Sequence, residues 1–120
     1  RYIEGNALET VWPKGQDAIL MSYLFSGVPD TEHERLIKQA YECLNPGGIV
    51  MIHDFVVHAD RTGPKNAALW QLQHTAFTPQ ARSLDDEWLE SQLKGAGFGA
   101  VSVEPMIPAM TMLAKGTRPR

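Results

Sequence analysis

The sequence predicts an α/β fold, and three observations carry that prediction. Two nearly unbroken apolar runs of strand length occur, Asp17 to Phe25 (DAILMSYLF) and Ile49 to Val57 (IVMIHDFVV). Between them Leu36, Ile37, Ala40, Tyr41 and Leu44 recur at helical spacing. Continuous apolarity, as opposed to alternation, is the mark of a strand buried on both faces. Strand, helix, strand with both strands apolar is the pattern of a crossover unit in a parallel sheet, because parallel neighbours need a connection long enough to return to the same end.

The turn-like Pro13-Lys14-Gly15 leads into the first strand, and Gly27-Val28-Pro29-Asp30 follows it. Thr31 with Glu34 three residues on is a capping-box start for the helix. Asn45-Pro46-Gly47-Gly48 ends that helix, since proline cannot continue it and glycine accepts the left-handed turn. Asp60 to Lys65 reads as a polar loop and Asn66 to Thr75 as a helix carrying Trp70 between Leu69 and Leu72. Ser83 to Ala96 is a further helix, with Ser83 and Asp86 as a cap pair, Trp88, Leu89, Gln92 and Leu93 at helical spacing, and Gly95 and Gly97 closing it. Ala100 to Glu104 and Met110 to Lys115 are short strands separated by Pro105 and Pro108. The five methionines read as fillers of irregular core gaps.

A chain of 120 residues accommodates one domain, 1–120. With 43% hydrophobic and 21% charged residues the chain is neither disordered nor fibrous. A net charge of −3, with Lys115, Arg118 and Arg120 as the basic cluster, excludes a charge-driven nucleic-acid binder. No apolar run approaches the roughly 20 residues that span a bilayer, so no membrane partner is expected. The single cysteine, Cys43, excludes an internal disulfide and argues against a zinc cluster, pointing to a reducing, cytoplasmic compartment. The chain lacks an initiator Met, and Arg1 to Glu4 reads as the tail of a strand already under way; a piece of a longer protein is expected.

In open parallel sheets ligands lie beyond the carboxyl ends of the strands. There the first run presents Ser22, Tyr23 and Ser26, and the second His53, Asp54 and Phe55. Asp54 interrupts an apolar strand, so its carboxylate either holds a loop amide or cap, or faces a cleft. His53 points to the opposite face, as a satisfied core or surface histidine. His33 and His58, in polar surroundings, read as exposed. His74, close to Trp70 and Phe77, reads either as lining a pocket for an aromatic ligand or as packing on the sheet. There is no P-loop, no GxGxxG, no nucleophile elbow and no metal-ligand spacing, so no metal site is expected.

Gly5-Asn6, Pro13, the stretch from Asp17 to Val57, and Arg82-Ser83 leading into a helix that ends Gly95-Ala96-Gly97-Phe98 occur in an order that adds to this reading. The most specific parts are the Leu44-Asn45-Pro46-Gly47-Gly48 turn before an apolar strand ending in an acid, and Gly-Ala-Gly-Phe before the last hairpin. Over about residues 1 to 115 the chain resembles the C-terminal part of the small-molecule O-methyltransferases, class I enzymes of the caffeic acid and hydroxyindole type.

The resemblance implies a partial Rossmann-like methyltransferase sheet, mostly parallel with a C-terminal antiparallel hairpin, its N-terminal strands missing. It implies S-adenosyl-L-methionine as cofactor, a small aromatic acceptor and a dimeric full-length protein, the glycine-rich loop, ribose-binding acid and dimerisation helices lying upstream of Arg1. The family's adenine-contacting Gly-Asp matches Gly5-Asn6, with Ala7 beside it, and an Asn carbonyl can still accept from the exocyclic amine. Ser22 stands where plant members have a Lys near the cofactor, and with Tyr23, Asn6 and Ala7 it lines the cofactor side. Trp70, His74 and Phe77 fall toward the acceptor.

The catalytic position departs from the family. Members follow the first strand with His-Asp-Trp, the His taking the acceptor's proton; here the residues are Ser26-Gly27-Val28. Asp54 matches the acid that orients that His, and Ala81 replaces a further acid. A phenol is ionised to about one part in a thousand at neutral pH, and a positioned base contributes about 10²–10⁴ in rate. Three alternatives follow. The acceptor is acidic enough or is a carbon or nitrogen; Asp54 or a nearby histidine replaces the base; or transfer is lost and the protein binds cofactor in a regulatory role or for altered chemistry. Family topology also leaves the Asp17 to Phe25 strand with a bare edge, from which self-association is expected.

Overall fold

The computed structural model describes residues 2–60, 62–77 and 84–120. Along the chain run β1 (Gln16–Ser22), α1 (His33–Cys43), β2 (Leu44–Asp54), α2 (Lys65–Phe77), α3 (Asp86–Gly95), β3 (Gly99–Pro105) and β4 (Met112–Thr117). The four strands form one sheet in the order β1-β2-β4-β3. β1 and β2 are parallel, with α1 between them in sequence, whereas β4 is antiparallel to both β2 and β3. The α/β class, the crossover unit and the C-terminal hairpin are as the sequence predicts.

α1 and α3 cover one face. Met21, Val50, Ile52, Met112 and Ala114 of the sheet pack with Leu36, Ile37 and Ala40 of α1 and Leu89 and Leu93 of α3 in one core. On the opposite face Leu20 is 60% and Ile49 41% exposed. Neither apolar run is therefore buried on both faces, contrary to the sequence reading. β1 lies at the sheet edge, and β2 alternates between buried and part-exposed positions.

Element ends differ where local geometry overrides periodicity. β1 stops at Ser22, three residues short of Phe25, because Tyr23 takes φ 56° and Phe25–Gly27 form a 3₁₀ turn. The Thr31–Glu34 capping box is not made. A second 3₁₀ turn, Asp30–Glu32, feeds α1, and the His33 N–H bonds to the Asp30 carbonyl. Extended backbone at Leu44 ends α1, and Asn45–Gly48 already belong to β2, with Gly47 at φ 86°.

α3 starts on Asp85, whose Oδ1 accepts the Trp88 N–H at 2.7 Å; the expected Ser83 lies outside the described residues. Its other end is a Schellman closure: Phe98 N–H bonds to Leu93 O, Gly97 N–H to Lys94 O, and Gly97 has φ 102°.

His33 corrects the expectation of exposure. It is fully buried, its ring stacked on Phe25 at 4.8 Å and Nε2 2.8 Å from the Phe25 carbonyl oxygen. The signal was present, since His33 precedes Leu36 and Ile37 by three and four residues on the same apolar stripe.

Candidate functional site

Parallel pairing in register brings Ser22 opposite His53, so the carboxyl ends of β1 and β2 lie side by side. Beyond them the chain turns sharply at Tyr23. A non-glycine residue in the left-handed region costs roughly 1 kcal/mol or more. Tyr23 is held there by its N–H, which donates to the His53 carbonyl at 2.8 Å, and by its ring, 4.9 Å from that of His53 and 5.2 Å from that of Phe55. Phe55 in turn stacks on Trp70 of α2 at 4.6 Å. Tyr23 and Trp70, 45% and 38% exposed, are the open ends of this aromatic row. Gln71 fixes the α2 side by donating from Nε2 to the carbonyls of Phe55 and Leu84, each at 2.9 Å.

On the other face of the strand ends, Asp54 is fully buried. Oδ2 accepts the Ser26 backbone N–H at 3.0 Å and Oδ1 the Phe55 N–H at 2.8 Å. The carboxylate thus locks the turn after β1 onto the end of β2. Asp54 and Ser26 are together, joined through the Ser26 amide.

His53 lies 2.9 Å through Nδ1 from Ser22 Oγ and 2.8 Å through Nε2 from Thr111 Oγ1. Thr111 gave no signal in the sequence, because nothing local announces that β4 will pair beside β2.

Asn6 and Ala7 sit in a turn before Trp12. Asn6 Oδ1 accepts the Leu8 N–H at 3.0 Å, and the Ala7 carbonyl accepts the Trp12 indole N–H at 3.0 Å. Ala7, Trp12, Leu20, Ser22 and Leu24 line a groove of about 410 Å³ along β1. The structure therefore brings Ala7 and Ser22 to one groove, whereas Asn6 is outside its lining. The side chains of His74 and Phe77 lie outside the described residues, as does Ala81.

His58 is exposed, as expected, and its Nδ1 is 3.2 Å from Asp86 Oδ2. Burial pushes the Asp86 carboxyl up, but bonds from the His58 ring and from the Ala59 and Glu87 amides outweigh it, so the carboxyl lies below its ordinary range. Among the described residues no cluster of three His, Cys, Asp or Glu could hold a metal ion, and no helix is long and apolar enough to cross a membrane.

Comparison with known proteins gives the family and the fold of the chain. A family profile described as O-methyltransferase domain matches residues 1–99. Over 60 residues, half of this chain and 17% of the relative, the sequence is 30% identical to a 3-hydroxy-5-methyl-1-naphthoate 3-O-methyltransferase of Streptomyces sahachiroi. The fold is similar to that of an O-methyltransferase family protein from Burkholderia thailandensis, with TM-score 0.82 and 21% identity over 99% of this chain and 36% of that one. Human N-acetylserotonin methyltransferase, solved with SAM, gives TM-score 0.82 and 18% identity over 98% of this chain and 33% of its own. The chain thus spans well under half the length of these relatives.

Proposed function

From the chain's place in the O-methyltransferase domain family, to which it belongs, we propose that it forms the C-terminal part of an S-adenosylmethionine-dependent methyltransferase acting on a small aromatic acceptor. The observation that carries this is the convergence of Ser22, Tyr23 and Phe55 at the carboxyl ends of the two parallel strands, with Trp70 extending the aromatic row and Ala7 sharing a groove with Ser22. The apolar lining and single serine hydroxyl of that groove fit a cofactor with a flat purine and a polar tail. When bound, S-adenosylmethionine supplies an electrophilic methyl group on its sulfonium.

The residues of this chain do the rest by placement. Ala7 and Ser22 line the cofactor side, next to Asn6. Tyr23 stands at the cofactor end of the aromatic row, and Trp70 offers a flat face to an aromatic acceptor, whose alignment with the donor is worth several kcal/mol in an in-line displacement. Asp54, with both oxygens already accepting amide hydrogens, orients the Ser26 turn. Without a histidine at Ser26, the acceptor is one whose reacting group is nucleophilic without a strong base. The resident compartment is the cytoplasm and the complete protein a homodimer.

In a second reading, which rests on Ser26 standing at the expected histidine position, the protein binds the cofactor and no longer transfers methyl. Calorimetric titration of S-adenosylhomocysteine into this chain, and into a version extended at its N-terminus, tests the cofactor. Transfer of a labelled methyl group to a panel of aromatics that offer acidic hydroxyls, amine nitrogens or nucleophilic ring carbons separates the two readings. Binding without transfer to any of them leaves the second, and no binding by either version sinks both.

A further inference from the structure

Two of the five methionines expected as core fillers, Met106 and Met110, are instead 55% and 38% exposed, and Ile107 between them is 41% exposed. All three lie in the tip that joins β3 to β4. Pairing of Pro105 with Met112, and of Met112 with Asp54, carries that tip to the carboxyl end of β2. One step further in the same antiparallel register, Thr111 comes level with Phe55. At this end of the sheet the strands stand in the order β1, β2, β4. The groove of Ala7 and Ser22 lies at the first, the Phe55–Trp70 stack at the second and the apolar tip at the third.

The backbone of the tip is closed on itself. The Met106 N–H donates to the Thr111 carbonyl, and the Met110 and Thr111 N–H groups both donate to the Ile107 carbonyl, each at 3.0 Å. The Ile107 N–H donates to Thr111 Oγ1 at 3.1 Å, and that oxygen lies 2.8 Å from His53 Nε2, which ties the tip to β2. With these polar groups engaged in holding the turn, the tip presents thioether and hydrocarbon to its surroundings. No charged residue occurs from Pro105 to Thr111, and the flanking charges, Glu104 and Lys115, pair with each other at 2.7 Å. An exposed apolar cluster on a fixed backbone marks a contact surface, and methionine adapts to ligands of varied outline.

We propose that Met106, Ile107 and Met110 determine acceptor specificity by contacting an uncharged, apolar substituent on the side of the acceptor remote from the methylated atom. The inference rests on the methyltransferase reading. An acceptor ring on Trp70 that turns its reacting atom toward the cofactor side at β1 turns its opposite edge toward β4. An alkyl group there removes water from the tip, whereas a charged group loses hydration and meets no charged partner in the tip.

The probes are 2-nitrophenols, whose hydroxyl is acidic, carrying a methyl, butyl, hexyl or carboxypentyl group para to it. Their affinities are measured by calorimetry in the N-terminally extended protein with S-adenosylhomocysteine bound. Affinity is expected to rise about two- to fourfold per methylene from methyl to hexyl, and to fall about tenfold when carboxypentyl replaces hexyl. Met106→Ser with Met110→Ser is expected to abolish the gain per methylene while leaving the methyl probe within about twofold. Leucine at both positions keeps the gain. In protein labelled with ¹³C-methyl methionine, the hexyl probe is expected to shift the Met106 and Met110 signals and leave that of the buried Met21 in place. An undiminished gain in the serine pair, or unmoved Met106 and Met110 signals, overturns the inference; the second is the result that a protein segment covering the tip would give. Binding of S-adenosylhomocysteine without any chain-length gain sinks the inference alone. A protein that binds neither S-adenosylhomocysteine nor the probes sinks the methyltransferase reading and the inference with it.

Discussion

The Asp54 carboxylate accepts the Ser26 amide 28 residues away in sequence, at 3.0 Å, while its other oxygen takes the amide of Phe55. One side chain therefore ties together the ends of the two parallel strands. Asp54→Ala leaves two buried amides without that acceptor, each worth about 1–3 kcal/mol. Urea denaturation is expected to show a loss of about 2–5 kcal/mol. A loss below about 0.5 kcal/mol would show that the carboxylate is not what holds the turn.

Gly48 sits where β2 leaves its opening turn, and a Cβ there would lie 2.9 Å from the Asn45 carbonyl oxygen and 3.1 Å from that of Asp17. Both neighbours are backbone and cannot swing aside. Gly48→Ala is expected to destabilise by about 1–3 kcal/mol, whereas Gly27→Ala, with open space around it, stays within about 0.5 kcal/mol. Denaturation midpoints of the two variants check the contrast.

Asp86 sets a limit on acid stability. Burial works against its charge, yet the His58 ring and two amides hold its carboxyl below the ordinary value. A depressed carboxyl contributes stability that is present above the unfolded value of about 3.9 and is lost as pH falls through the folded one. The melting temperature of Asp86→Asn should therefore fall furthest below wild type above about pH 5, and the two curves should converge as pH falls through the folded value. A difference independent of pH would mean that the carboxylate charge plays no part.

β1 is an edge strand, and the exposed Leu20 stands on the sheet face opposite α1 and α3. Bare apolar edges recruit other chains, and a charge on them prevents it. Sedimentation of the 120-residue chain is expected to show concentration-dependent association that Leu20→Lys reduces. A wild-type chain that stays monomeric at all concentrations would remove both the expected self-association and its assignment to this edge.

The sequence alone determined the elements and their class, because apolar runs and helical spacing are local signals. β1, α1, β2 and the Schellman end of α3 at Gly97 were legible in this way. It also named Ser22, Tyr23 and Asp54 as strand-end residues, since a polar group that interrupts an apolar strand is visible without a fold. What lay beyond it depends on partners distant in the chain. The burial of His33 needed the Phe25 carbonyl, the role of Asp54 needed the Ser26 amide, and the contact of His53 with Thr111, 58 residues away, forms only because β4 pairs beside β2. A hydrogen bond fixes which atom donates only when both ends are in place, and that pairing is a property of the tertiary structure.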